Sequence, residues 1–369
     1  MQMEKVVVGL SGGVDSAVAA YLLKQAGYEV IGVTLRTWIG SDGQDSRCCE
    51  IDDARQTAQS IGIPYFVFNC TQAFERKVTQ PFIDDYLHGL TPNPCVICNR
   101  EIKWEQLLYY ARVLGAGYVA TGHYASIVRL ENGRYTVQNA SHAEKDQTYM
   151  LYRLTQEQLA KTLMPLGTYE KKTVREIAER AGLHIAAKPD SQEICFIPDG
   201  DYAGYIRENA GGRVPGEGNL VDEAGTVLGT HRGIIHYTVG QRKGLGLSLG
   251  HPVYVKRICA DTNEIVVGEK GDILCKALLC RDLNCMSIPG LKAGETLRCR
   301  VSPRYRHPAQ SALLEAREDG CVRVTFDEPV RFAAPGQSAV FYDENACVIG
   351  GGIISEVLFS EERDTGVTA

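Results

Sequence analysis

A chain of 369 residues is too long for one ordinary domain, so two or three are expected, with ample material for a core. Hydrophobic residues make up 44% and charged residues 23%, an ordinary globular balance that excludes disordered and fibrous classes. The net charge of −6 argues against non-specific coating of nucleic acid but leaves room for a local basic groove. No apolar run approaches membrane-spanning length and no signal-peptide core opens the chain, so a cytoplasmic protein without membrane contact is expected. The 13 cysteines are odd in number and scattered, unlike a secreted disulfide framework.

Val6-Val7-Val8 reads as a strand buried on both faces. Ser11-Gly12-Gly13-Val14-Asp15-Ser16 follows, and Val14, Val18, Tyr21 and Leu22 then recur at helical spacing up to Gly27. Strand, glycine-rich turn and helix together make an anion cradle, because two glycines leave backbone N–H groups uncovered beside a positive helix end. The Walker pattern would need a Lys before the final Ser, and none stands there.

Tyr28 to Leu35, Ile63 to Asn69 and Tyr118 to Thr121 read as further strands. Ala54, Ala58 and Ile61 suggest a helix closed by Gly62, and Phe74 to Leu87 and Glu105 to Leu114 are helical in pattern. Strands alternating with helices predict a doubly wound α/β parallel sheet, whose ligands sit beyond the carboxyl ends of its strands. Between the last two helical stretches, Pro92-Asn93-Pro94-Cys95-Val96-Ile97-Cys98-Asn99 is expected to be a loop, since prolines interrupt regular structure.

Asn132-Gly133 predicts a two-residue hairpin turn, and Thr173-Val-Arg-Glu176 fits a capping box opening a helix to Ala181. The run Gly211 to Gly218 breaks all periodicity and reads as a linker or a sharp turn. Beyond it, short β-rich runs at Gly233–Val239, Val253–Ile258, Glu264–Val267, Thr296–Val301, Ser311–Leu314, Val322–Phe326 and Ser338–Tyr342 predict a small β-rich module and then a β-barrel. The tail from Ser360 to Ala369 is polar and expected to fray. Arg298, Arg300, Arg304 and Arg306, with Tyr305 and His307 interleaved, form a stretch without acids. It suits phosphates and stacked bases, or equally a solvated barrel face.

Cys95-x-x-Cys98 alone fits half a zinc site, a redox pair or two unrelated thiols. No second pair completes four zinc ligands, and the motif does not open a helix after the first strand as a thioredoxin site would. For Cys48, Cys49, Cys70 and the C-terminal cysteines, inert thiols are expected.

Ser11 to Ser16 resembles the pyrophosphate loop of N-type ATP pyrophosphatases. The runs Pro92 to Trp104 and Asp190-Ser-Gln-Glu-Ile-Cys195-Phe-Ile-Pro198 resemble those of the tRNA-specific 2-thiouridylases. So do Thr121-Gly-His-Tyr-Ala125, Lys145-Asp-Gln-Thr-Tyr149, Tyr237 to Gly244 and Gly336 to Tyr342, in the family's order from residue 5 to about residue 354.

The resemblance implies an ATP pyrophosphatase domain over 1–205, a central β-rich domain over 206–272 and a tRNA-binding barrel over 273–360. It implies ATP, with Mg2+, at Gly9, Leu10, Ser11, Gly12, Gly13, Val14, Asp15, Ser16, Leu35 and Gly122; Leu35 stands where many members have Met. Thr34-Leu35 would face adenine or ribose. By the same resemblance Cys98 matches the nucleophile and Cys195 the persulfide carrier, while Cys95 stands where some members have Asp. Asn93, Pro94, Cys95, His123, Lys145, Asp146, Gln147, Arg304, Tyr305 and Gln337 match tRNA-contacting positions.

The implied reaction is 2-thiolation of a wobble uridine, supplied by a sulfur donor such as a cysteine desulfurase or relay protein. The C2 oxygen leaves poorly until it is adenylated, and a persulfide thiolate can then deliver sulfur if a second thiol resolves the product. A 4Fe–4S cluster on Cys95, Cys98 and Cys195 is the alternative, disfavoured because clusters ordinarily take four cysteines. Other readings are a small-molecule ligase sharing the loop, of argininosuccinate- or amide-forming type, and a non-catalytic RNA-binding protein.

Overall fold

The computed structural model describes residues 3–40, 50–140, 145–189, 194–331 and 333–359. Cys48, Cys49, the Asp190-to-Glu193 part of the second cysteine motif and the tail from Ser360 lie outside the described residues. The chain divides into two compact units: Met1–Gln80 with Pro94–Gly200 and Asn345–Val348, and Pro81–Asn93 with Asp201–Glu344 and Ile349–Ala369.

In chain order the strands are β1 (Lys5–Gly9), β2 (Glu29–Arg36), β3 (Tyr65–Asn69), β4 (Tyr118–Ala120), β5 (Ala125–Arg129), β6 (Tyr135–Asn139) and β7 (Thr162–Leu163). Then follow β8 (Gly218–Val221), β9 (Val227–His231), β10 (Tyr254–Cys259), β11 (Glu264–Gly268) and β12 (Cys275–Cys285). The last are β13 (Thr296–Ser302), β14 (Gln310–Ala316), β15 (Val322–Val330), β16 (Ser338–Tyr342) and β17 (Val348–Phe359). The helices are α1 (Val14–Gln25), α2 (Ile51–Ile61), α3 (Thr71–Phe74), α4 (Gln80–Leu87), α5 (Pro94–Cys98), α6 (Glu105–Val113), α7 (Gln156–Ala160), α8 (Lys171–Arg180) and α9 (Tyr202–Asn209).

The first unit is built on a parallel sheet of order β3-β2-β1-β4-β7. The chain runs outward from β1 to β3 and then returns to β4 on the other side, so strand order reverses at β1. That reversal opens a crevice at the carboxyl ends of β1 and β4. Val6, Val7 and Val8 are fully buried, as an apolar β-branched run between two covered faces requires. Helix α1 buries Ala17, Val18, Ala19 and Ala20 against this core and against Val174, Ile177 and Ala178 of α8.

Three local expectations for this unit change. Of Pro92 to Asn99 only Pro92 and Asn93 are irregular: Pro94 is the first residue of α5, where its fixed φ suits a helix and its missing N–H costs nothing. A π-helical turn over Asn99–Trp104 joins α5 to α6, so Cys95 and Cys98 lie on helix. Helix α8 starts at Lys171 behind Glu170 rather than at Thr173, and the capping box forms instead at Thr155 and Gln158 of α7. The β5–β6 hairpin closes from Leu130 to Arg134 with only Gly133 at positive φ, so its loop is one residue longer than Asn-Gly suggests.

The second unit holds a four-stranded sheet, order β10-β11-β8-β9, and a closed barrel, order β12-β15-β14-β13-β16-β17. This matches the expected β-rich module and barrel. The run Gly233–Val239 is not a strand, however; Ile234 and Ile235 form a buried 3-10 turn after Gly233, whose φ of 110° breaks extension. Strand β17 was hidden by Gly350-Gly351-Gly352. A Cβ on Gly350 would stand 2.3 Å from the Asn284 carbonyl oxygen, so these glycines let β17 close on β12.

Candidate active site

The loop leaving β1 is shaped by close approach. Gly12 has φ +80°, and a Cβ there would lie 2.6 Å from the backbone oxygen of Glu50, so no side chain fits. Gly122, just past β4, is pressed against the loop from the other side, its Cβ position 2.6 Å from Asp15 C and Ser16 N. Ser11 N donates to Ser16 Oγ at 3.1 Å and Ser16 Oγ to the Gly13 carbonyl at 3.1 Å, clasping the turn on itself. Gly13 stands at the N-cap of α1 without a side chain to cover the helix end, which leaves a concave, electropositive cradle. Gly9 to Ser16 and Gly122 thus meet in one place at the switch point.

Thr34 is buried, and its hydroxyl donates to the Leu10 carbonyl at 2.7 Å while accepting from Tyr65 OH at 2.7 Å. It steadies the loop, and half-buried Leu35 beside it stands nearer the strand end.

Charged side chains that sequence reasoning missed surround the cradle. Lys171 Nζ lies 2.7 and 2.8 Å from the two carboxylate oxygens of Asp15, and Tyr124 OH donates to Asp15 Oδ1 at 2.7 Å. Lys188 Nζ donates to the Gly12 carbonyl at 3.3 Å and also bonds Glu50 and Asp53. The hydrogen bond from Lys188 holds the Asp53 carboxyl below its usual range. Burial opposes the charge of Lys188, but Asp53 and Glu50 outweigh it and raise its pKa. Only Tyr124 carried a signal, as part of the Thr121-to-Ala125 block; the lysines come from far along the chain.

Mg2+ usually takes one or two carboxylates together with phosphate oxygens. Among the described residues no three His, Cys, Asp or Glu side chains form a metal-binding group, and Asp15 is already engaged by Lys171 and Tyr124. Asp15, the carboxylate of the loop, is the residue beside which a cation accompanying ATP would be held. Among the described residues Cys95, Cys98 and Cys195 form no group that could hold a single metal ion.

No disulfide joins any two of the described cysteines. Cys98 is buried and Cys95 exposed on α5, and half-buried Cys195 sits in a turn. Phe196, next to Cys195, packs edge-on against Phe74 at 5.6 Å, and α5 packs against the π-helical turn Glu75–Thr79 that follows Phe74. The two cysteine segments therefore share one support. Asn99 and Trp104 fix the helix behind Cys98 through Nδ2 to the Met150 carbonyl at 3.0 Å and Nε1 to Thr162 Oγ1 at 2.7 Å.

His123 hydrogen bonds Thr121 Oγ1 through Nδ1 at 2.8 Å and lies 5.4 Å from the Trp104 ring. Burial, with Lys103 nearby, pushes its pKa down to about 3, so the imidazole is neutral at physiological pH. Gln147 Oε1 accepts from Tyr124 N at 2.9 Å, and Asp146 accepts from Thr148 Oγ1 and Ala140 N. Burial raises the Asp146 pKa against those hydrogen bonds.

In the second unit, Gln337 Nε2 donates to the Thr91 carbonyl at 2.7 Å, two residues before Asn93. Arg304 is exposed, Tyr305 half-buried, and the Arg306 guanidinium lies 5.4 Å from the Tyr305 ring. The arginine stretch is less uniformly basic than its sequence: Arg298 Nη1 donates to both carboxylate oxygens of Asp327, at 2.7 and 2.8 Å.

A parallel sheet with an anion cradle at its switch point, joined to a β-module and a closed barrel, defines a nucleotide-dependent enzyme with an appended β-barrel. Residues 4–199 match the tRNA methyl transferase HUP domain, 205–269 the tRNA methyl transferase PRC-barrel domain and 276–354 the aminomethyltransferase β-barrel domain. The chain is 50% identical over 359 residues to the tRNA-specific 2-thiouridylase MnmA of Lachnoclostridium phytofermentans, spanning 95% of this chain and 99% of that one. It is 49% identical to the MnmA of Acetivibrio thermocellus, spanning 96% and 100%. This chain belongs to the tRNA-specific 2-thiouridylase family. The U34-tRNA thiolase NcsA of Methanococcus maripaludis, solved with its 4Fe-4S cluster, is 21% identical with a TM-score of 0.35 over 57% of this chain and 67% of that one. That likeness is too slight to carry its chemistry over.

Proposed function

We propose that this chain uses ATP to replace the C2 oxygen of the wobble uridine, position 34, of tRNA with sulfur. The clasped Ser11–Ser16 loop at the switch point carries the reading, since it suits a polyphosphate and nothing smaller needs it. The uridine oxygen attacks the α-phosphorus, pyrophosphate leaves, and AMP becomes the leaving group at C2. A persulfide on Cys195 then attacks C2 through its outer sulfur and expels AMP. Cys98 thiolate attacks Cys195 Sγ, releasing the thiouridine and leaving a Cys98–Cys195 disulfide, which an external dithiol reduces.

In this reading residues 1–205 adenylate, 206–272 connect, and 273–360 bind tRNA through Arg304, Tyr305 and Gln337. Asn93, Pro94, Cys95, His123, Lys145, Asp146 and Gln147 meet the target nucleotide, and Leu35 meets the adenosine. The sulfur comes from a cysteine desulfurase or a sulfur-relay protein, in the cytoplasm. Nucleoside analysis of tRNA from a deletion strain tests this: loss of 2-thiouridine at position 34, restored by the gene, is expected. Unchanged 2-thiouridine would refute it.

A further inference from the structure

Helix α8 opens with Lys171 and Lys172 and has no acidic residue in its first turn, placing two cations at the end where positive charge is least favourable. Glu170 at the N-cap offsets part of that charge. Lys171 is not spread into solvent: its side chain is 14% exposed and its Nζ stands against Asp15. The delivery is rigid, because α8 and α1 pack together through Val174, Ile177, Ala178, Ala17 and Val18.

Asp15 poses an electrostatic problem in an anion cradle. It is the second residue of α1, immediately beyond Gly12-Gly13, where its carboxylate repels a polyphosphate. Lys171 cancels that charge and places an ammonium beside the loop, while Tyr124 OH fixes the Asp15 oxygen it shares.

We propose that Lys171 is a catalytic residue of the adenylation step, its ammonium receiving the β- and γ-phosphates of ATP. This rests on the ATP reading above. As the uridine oxygen bonds to the α-phosphorus, the bond to the bridging oxygen breaks and its electron pair passes to pyrophosphate. The ammonium lies where that charge grows, with Asp15 as its positioning partner. AMP lacks those phosphates, so Lys171 contributes to ATP and pyrophosphate binding and not to AMP binding.

The test compares Lys171→Met and Lys171→Arg with the parent full chain, titrating inorganic pyrophosphate and AMP by calorimetry and following tRNA-dependent pyrophosphate release. Lys171→Met is expected to lose about 100-fold in the rate of release, on the scale of one oxyanion-stabilising donor. It is expected to bind pyrophosphate at least about tenfold more weakly and AMP within about twofold of the parent, and Lys171→Arg to recover much of both losses. If Lys171→Met melts early because Asp15 is left unpaired, Asp15→Asn/Lys171→Met removes both charges. This double variant is expected to fold and still bind pyrophosphate weakly. Unchanged pyrophosphate affinity in a folded variant, or a parallel loss of AMP, overturns the assignment. A parent chain that binds neither AMP nor pyrophosphate overturns the ATP reading along with it.

Discussion

Lys188 donates to the carbonyl oxygen of Gly12 at 3.3 Å, joining the phosphate loop to the segment that leads into Cys195. The same ammonium bonds Glu50 and Asp53, whose side chains are 35% and 36% exposed. Lys188→Met is expected to destabilise the protein by on the order of 1 kcal/mol, the upper range for pairs so open to solvent. The pH dependence has a definite sign. The Asp53 pKa is depressed by folding, so its contribution is present above the ordinary carboxylate range and lost as pH falls through the folded value. The Lys188 pKa is raised, so its contribution is present below the ordinary lysine range and lost as pH rises through the folded value. Urea unfolding is expected to show a constant gap between parent and variant from about pH 5 to 9, narrowing below about pH 4. A gap that widens on acidification would contradict this pairing.

Gly12→Ala is expected to be worse than its single methyl suggests. Its φ of +80° costs an L-residue about 1 kcal/mol or more, and the new Cβ would meet the Glu50 backbone at 2.6 Å, which cannot rotate away. ATP binding by calorimetry is expected to fall below detection while tRNA binding is retained. An alanine variant that binds ATP at parental affinity would show that the loop is not held as described.

If the proposed tRNA contact holds, Arg304 and Arg298 separate a phosphate contact from a neutralised surface charge. Arg304→Ala is expected to weaken tRNA binding by roughly 1–3 kcal/mol and to flatten its salt dependence. Arg298, paired with Asp327, is expected to change little when replaced by Ala. Filter binding over a salt series reads both, and equal losses from the two variants would return the whole stretch to a solvated face.

What the sequence made legible was local. Val6-Val7-Val8 and Ser11 to Ser16 encode strand, turn and helix within a dozen residues, so the cradle could be read directly. Lys171 and Lys188 could not, because the sheet brings them to the loop from more than 150 residues away. The capping-box reading at Thr173 failed because Thr173 lies inside α8, two residues past its first turn's start at Lys171, while the apolar contacts of α8 with α1 begin only at Val174. Proline at Pro94 pointed to a loop when it opened a helix, and Gly350 to Gly352 obscured a strand whose closeness to β12 requires glycine.

In the proposed mechanism adenylation and sulfur transfer are separate steps held by different residues. Incubate Cys195→Ser and Cys95→Ser with ATP, unmodified tRNA and a persulfide donor, and measure pyrophosphate, adenylated tRNA and 2-thiouridine together. Cys195→Ser is expected to release pyrophosphate and accumulate adenylated tRNA with no 2-thiouridine, while Cys95→Ser keeps substantial thiolation. Normal 2-thiouridine formation by Cys195→Ser would contradict the account, as would complete loss in Cys95→Ser together with a stable iron–sulfur absorbance in the parent.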